Sequence, residues 1–183
     1  ALAVSVKSII NQTYKDWEFI ICDDGSSNDT FSMLRKVATL DKRIKVIGYK
    51  QNRGLSGALN HCLEFAKGEF IARQDDDNDV STPDRFEKQI SFLETHPEFD
   101  FVGSNCTVFD QNGPVGIWKT PETVKPEDFL WNSPFVHAAL LFRRQALDVV
   151  SGYRVSKETR RCEDYDLFMR MYTPDFMIRG IFL

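Results

Sequence analysis

Three short apolar runs, residues 17–22, 44–49 and 70–73, are separated by stretches whose apolar positions recur at helical spacing. That alternation leaves few folds open to the chain. Strand, helix and strand in succession imply a parallel sheet with right-handed crossovers. The chain opens inside a helix, because Leu2, Val6, Ile9 and Ile10 share one face, and this helix should end near Gln12-Thr13. Side chains from Ser26 to Asp29 can cap a second helix running through about Leu40. Leu55, Ala58, Leu59, Cys62, Leu63 and Ala66 form the face of a third, stopped by Gly68. In an open sheet of this kind ligands gather beyond the carboxyl ends of the strands. Both acidic clusters, Asp23-Asp24 and the loop 75–79, fall at such ends.

The second half has a different pattern. Residues 83–95 read as a helix with Pro83 in its first turn, 101–109 as a strand, Asn112-Gly113 as a turn and 115–119 as the returning arm of a hairpin. A strand over 136–142 precedes a helix over 144–150 and a break at Gly152-Tyr153. Residues 153–161 carry Arg154, Lys157, Arg160 and Arg161 with few apolar anchors, which predicts a mobile basic loop before a helix over 163–172.

The loop after the third strand reads Arg73-Gln74-Asp75-Asp76-Asp77-Asn78-Asp79. Four carboxylates in five positions repel one another unless a positive group joins them, and the alternation of Asp75, Asp77 and Asp79 suits a hard divalent cation. A solvated acidic turn is the competing reading. A calcium loop of the EF-hand type is excluded, since its required Gly and Glu places hold Val80 and Phe86.

At 183 residues and 42% hydrophobic the chain suits one domain with a sizeable core. Its net charge of −4 argues against broad electrostatic binding of nucleic acid. Cys22, Cys62, Cys106 and Cys162 lack any Cys-x-x-Cys spacing, which argues against a zinc site and for a reducing compartment. No apolar run is long enough to span a bilayer, and the first ten residues lack signal-peptide character.

Three separated segments, Asp23-Asp24-Gly25-Ser26-Ser27, the loop 75–79 and Glu163-Asp164-Tyr165-Asp166-Leu167, stand in an order that resembles the family 2 glycosyltransferases of GT-A fold. Asn11-Gln12-Thr13-Tyr14, Asn52-Arg53-Gly54-Leu55 with Ala58-Leu59-Asn60, Gly68-Glu69-Phe70-Ile71-Ala72-Arg73 and Pro83-Asp84-Arg85 extend the match over nearly the whole chain. The resemblance implies an α/β, Rossmann-like GT-A fold with a mixed, mainly parallel sheet flanked by helices. It implies one domain over 1–183, with a nucleotide-sugar-binding half at 1–99 and an acceptor-side half at 100–183. The chain is expected to be incomplete at both ends, lacking the family's usual N-terminal strand.

By the same resemblance Asp23, Asp24, Asn52, Asp75 and Asp76 bind the donor, a nucleotide sugar, most often a UDP-sugar. Asp75 and Asp77 form the Asp-x-Asp motif that holds Mn or Mg; the loop is one acidic residue longer than is common, which leaves Asp79 as an alternative to Asp77. Asp164 matches the catalytic base, with a helix cap as the competing reading and Glu163 beside it as a first-turn charge. His137 stands on the acceptor side, and Arg160 and Arg161 belong to a lid over the diphosphate. Trp118 and Trp131 are read as core aromatics in preference to sugar-stacking ones. The implied activity is inverting transfer of a hexosyl or N-acetylhexosaminyl group to a saccharide or lipid-linked saccharide in polysaccharide biosynthesis. The implied setting is cytoplasmic, peripheral at the inner face of a membrane. A non-catalytic nucleotide-sugar or metal-binding module of the same fold and a nucleotidyltransferase are the alternatives.

Overall fold

A computed structural model describes residues 2–26, 29–75, 79–122, 124–131, 133–172 and 180–182. Helix α1 (Leu2–Ile10) buries Val6 and Ile9 and leads into strand β1 (Phe19–Asp24). The strand begins two residues later than its apolar run, because the Arg43 guanidinium lies 3.5 Å from the centre of the Trp17 ring. Arg43 also donates to the Lys15 carbonyl at 2.9 Å, so this stretch is held as a brace ahead of the ladder. Helix α2 (Thr30–Ala38) starts from Asp29, whose side chain makes no cap bond. Strand β2 (Ile44–Tyr49) pairs parallel with β1 from Phe19↔Ile44 to Asp24↔Tyr49. Helix α3 (Leu55–Phe65) packs on β1 and leads to β3 (Phe70–Ala72).

The expected parallel continuation into β3 is replaced by a second ladder. After helix α4 (Arg85–Thr95) and β4 (Phe101–Gly103), a hairpin of β5 (Cys106–Asp110) and β6 (Gly113–Trp118) stands apart. Chain 101–109 is therefore two strands, interrupted at Ser104-Asn105, and Asn105 turns its Oδ1 to the Thr120 N–H at 3.1 Å. Strand β7 (Leu141–Arg143) joins β3 and β4, antiparallel to both, and β8 (Gly180–Phe182) lies parallel to β4. The stretch before β7 that was expected to be strand is a 3-10 turn at His137–Ala139. Helices α5 (Arg144–Val149) and α6 (Glu163–Met171) complete the described elements.

The pleat of β4 and β7 divides the core. Phe101 and Phe142, opposite each other, join Phe135, Leu167, Phe168 and Met171 on one face. Val102 and Leu141, one residue along, join Ile9, Phe86, Ile90 and Leu93 on the other. Period-two alternation thus feeds two apolar layers from one ladder.

Two buried polar side chains tie segments that the strands do not. Gln12 is fully buried; its Nε2 donates to the Thr82 carbonyl at 2.7 Å and its Oε1 accepts from the Phe86 N–H at 3.0 Å. Arg85, also buried, donates to the carbonyls of Arg73 and Leu140, to Ser81 Oγ and to Gln89 Oε1. All four cysteines are free thiols. Trp118 and Trp131 are not core residues: Trp118 is half exposed on the hairpin, and Trp131 is 94% exposed.

Candidate active site

The carboxyl end of β1 presents Asp23 and Asp24, and the parallel ladder sends them to different partners. Asp23 is buried and accepts from the Ser26 hydroxyl. Asp24 accepts from the Arg53 N–H at 2.7 Å and the Gly54 N–H at 2.8 Å, the two donors just ahead of α3. A carboxylate there matches the positive end of the helix dipole. Asn52 closes the turn, donating from Nδ2 to the Asp24 carbonyl at 3.0 Å and accepting from the Gly54 N–H at 3.1 Å. Gly25 makes the approach feasible, since a Cβ there would lie 2.7 Å from the Asn52 nitrogen.

At the end of β3, Arg73 forms an ion pair with Asp75 and donates to the Gln74 carbonyl. Its backbone is held from both sides, the N–H on the Leu140 carbonyl at 3.0 Å and the carbonyl on Arg85. Gln74 orders the far side of the loop by donating to the Asp79 carbonyl at 3.0 Å. Asp76 and Asp77 lie outside the described residues. Among the described residues no three His, Cys, Asp or Glu side chains converge as a cation cage.

Behind this loop, His137 Nε2 and the Tyr153 hydroxyl are 2.7 Å apart. Burial pushes the His137 imidazole down to about 3, and the Arg73 charge pushes the same way. Burial raises the Tyr153 phenol; Arg73 opposes that rise, while Asp164, Asp75 and Glu163 reinforce it. The Tyr153 phenol thus feels charge both from the end of β3 and from the start of α6. His137 is therefore uncharged, because a base of this strength stays unprotonated near neutral pH.

Glu163 and Asp164 occupy the first turn of α6. Asp164 Oδ1 accepts from the Tyr165 N–H at 2.8 Å. Asp166 is committed elsewhere, 3.1 Å from Arg154 and 2.8 Å from Arg170. The basic segment before α6 is better fixed than its composition predicts. Tyr153 and Thr159 are buried, and Thr159 Oγ1 donates to the Arg154 carbonyl at 2.9 Å. Lys157, Arg160 and Arg161 remain exposed.

Residue types and order revealed the acidic groups but not Arg73 or Tyr153. Arg73 was visible as the last residue of a strand and the end of one matching string, with no role attached, although a cation directly before four carboxylates is itself a signal. Tyr153 stood beside a glycine break, with nothing to mark it as buried.

The His137 environment gives a stability prediction. The unfolded side chain titrates near 6.5 and the folded one near 3. The stability held by the neutral form is therefore complete above about pH 6.5 and is lost as pH falls towards 3. Its slope approaches about 1.4 kcal/mol per pH unit between those limits. Thermal unfolding of the parent and His137→Asn from pH 7 to pH 5 should show the steeper decline in the parent. Parallel declines would contradict a buried neutral imidazole.

A family model described as glycosyl transferase family 2 matches residues 1–155. EpsE of Bacillus subtilis (strain 168), named as a glycosyltransferase with no donor in its name, is 42% identical over 176 residues, covering 96% of this chain and 63% of EpsE. WfgD of Escherichia coli, named as a UDP-Glc:alpha-D-GlcNAc-diphosphoundecaprenol beta-1,3-glucosyltransferase, is 30% identical over 168 residues, covering 92% of this chain and 63% of WfgD. The chain thus spans 63% of the length of each of these relatives. Among solved structures, the mannosyltransferase PcManGT of Pyrobaculum calidifontis with GDP-Man and Mn2+ superposes with a TM-score of 0.73 at 19% identity, covering all of this chain and 50% of that one. TarS 1–349 of S. aureus with UDP-GlcNAc gives 0.75 at 19% identity, covering all of this chain and 52% of that one. At such identity the likeness is one of fold, and the fold is GT-A.

Proposed function

The chain belongs to glycosyl transferase family 2, and we propose that it is an inverting, metal-dependent transferase acting on a nucleoside diphosphate sugar. The observation that carries this reading is a run of contacts that ties the acidic loop to α6: Arg73, paired with Asp75, bonds the Leu140 carbonyl, the 3-10 turn before Leu140 presents His137 to Tyr153, and the turn carrying Tyr153 is held by Arg170 of α6. An acidic loop suited to a divalent ion and a carboxylate in the first turn of a helix are the two groups that sugar transfer needs.

The donor is a UDP-sugar, a hexose or N-acetylhexosamine, and the acceptor a saccharide or lipid-linked saccharide in polysaccharide assembly. Support for this comes from WfgD, whose name contains a UDP-linked donor and a diphosphoundecaprenol acceptor. No helix among the described residues is long and apolar enough to cross a membrane. With a lipid-linked acceptor the protein would work peripherally at the inner face of a membrane, in the cytoplasm. We assign residues 1–99 to the donor side and 100–183 to the acceptor side.

Asp23 and Asp24 contact the base and ribose, Asp24 through the lone pairs that the Arg53 and Gly54 N–H groups leave, and Asn52 closes the turn beside them on the donor side. Asp75 and Asp77, with Asp79 as the alternative ligand and Asp76 beside the donor, would hold Mn or Mg; when bound, the ion neutralises charge on the departing diphosphate. Asp164 accepts the proton of the acceptor hydroxyl as its oxygen attacks the anomeric carbon from the face opposite the diphosphate. Glu163 lies beside it on the acceptor side. Arg160 and Arg161, exposed on the rim before α6, swing towards the diphosphate and exclude water that would hydrolyse the donor.

Release of UDP from UDP-glucose and UDP-GlcNAc, measured with Mn and then with EDTA, tests the reading. Metal-dependent turnover with either donor is expected. Donor binding without turnover across a panel of saccharide and polyprenyl-diphosphate-linked acceptors would instead mark a non-catalytic module.

A further inference from the structure

Residues 150–153 form a turn that presents Tyr153 to His137, and its backbone is strained. Ser151 has φ 58° and Gly152 φ 66°, so two successive residues take the left-handed region, the first of them with a side chain. Conformations of this kind persist only where surrounding contacts over-determine them.

The contacts come from two helices. On one side Asn60 of α3 makes a reciprocal pair with Tyr153, its Nδ2 donating to the Tyr153 carbonyl at 2.8 Å and its Oδ1 accepting from the Tyr153 N–H at 2.8 Å. A Cβ on Gly152 would lie 2.7 Å from that same Oδ1, so the fit depends on glycine. On the other side Arg170 of α6 spans the turn, donating from one terminal nitrogen to the Val150 carbonyl at 2.6 Å and from the other to the Gly152 carbonyl at 2.8 Å. Its Nε donates to Asp166 at 2.8 Å, and Asp166 also pairs with Arg154.

We infer that Asn60 and Arg170 are positioning residues: gripping the 150–153 turn from α3 and α6, they fix the rotation of α6 and hence the place of Asp164. The inference rests on the assignment of Asp164 as the base. Asp166 and Arg170 are four residues apart and lie on one side of the helix. Asp164, two residues before Asp166, lies roughly 160° around the helix from it. Anchoring the one side therefore sets the direction of the other. The same turn carries Tyr153, so the His137–Tyr153 pair and the base are set by one clamp. Through α3 the clamp is continuous with the turn that Asp24 holds at the donor end.

An amide is required at residue 60 because the pair needs a donor and an acceptor on one short side chain. A guanidinium is required at 170 because a single ammonium cannot span two carbonyls while pairing with Asp166. Both requirements are testable in the whole protein by UDP release from UDP-glucose with Mn, together with UDP affinity by calorimetry. Asn60→Ala and Arg170→Lys should each lower kcat by about tenfold or more, with UDP affinity within about twofold of the parent. Adding Asn60→Ala to Asp164→Asn should cost little further rate, because a positioning residue loses its effect once the positioned group is gone.

Parent-like turnover in Asn60→Ala, or losses that simply multiply in the double variant, would overturn the clamp. Full turnover in Asp164→Asn would sink the base assignment alone, and the fall in kcat of Asn60→Ala and Arg170→Lys at unchanged UDP affinity would then decide for or against the clamp. If Asn60→Ala does not fold, amide exchange in the parent decides: the Tyr153 N–H should exchange as slowly as core amides, and rapid exchange would refute the grip.

Discussion

Asp164→Asn is expected to lower kcat by about 10²-fold or more while nucleotide affinity stays within about twofold. The substitution preserves shape and the acceptor for the Tyr165 N–H, so the first turn of α6 remains in place. What disappears is the proton acceptor. Asp166 cannot take over, since both of its oxygens are engaged by Arg154 and Arg170. Glu163 is the nearest substitute, and partial activity that vanishes on adding Glu163→Gln would identify it. Undiminished turnover in Asp164→Asn would assign the chemistry to another group.

Asp75→Ala and Asp77→Ala should each abolish Mn-dependent binding of UDP, lowering affinity by about 10²-fold or more, because the remaining ligands cannot offset the desolvation of a divalent ion. Calorimetry with Mn and with EDTA reads this directly. The two variants should differ in stability, however. Asp75 is the ion-pair partner of Arg73, whose Nε is buried with no hydrogen-bond partner among the described residues. Removing Asp75 leaves a largely buried guanidinium uncompensated and should lower the melting temperature; Asp75→Asn separates that effect from lost metal binding. If UDP binds both Ala variants as in the parent, with the same response to EDTA, the loop is a turn and nothing more.

Local pattern was legible where local forces decide the outcome. The run at 44–49 became β2 without a shift, and the apolar face from Leu55 became α3. The run at 17–22 slipped to β1 because Arg43, distant in sequence, claims the Trp17 ring. Pairing was harder to read than element type. Strand β3 joins β7, some seventy residues away, and three-residue strands carry too little pattern to announce such a partner. The acidic groups at the strand ends and in the first turn of α6 were placed by local pattern, because strand ends and helix starts carry their own sequence signals. Arg73 and Asn60 stand in strings of the family match but with no role attached, and Tyr153 and Arg170 carried no signal, since each acts through a distant backbone or charge. Trp131 shows the opposite failure, an aromatic assigned to the interior by habit of type and found in solvent.

Arg85 has a consequence for how the chain folds. Its guanidinium, held down to about 10 by burial, is satisfied by the carbonyls of Arg73 and Leu140 and by Ser81 and Gln89. These partners lie on segments up to 55 residues away along the chain. An intermediate that docked α4 before β7 arrived would trap a cation without the Leu140 carbonyl, and such states are disfavoured by several kcal/mol. Residues 1–99 and 100–183 should therefore acquire structure in one cooperative step, and neither segment should persist when the chain is cut between them.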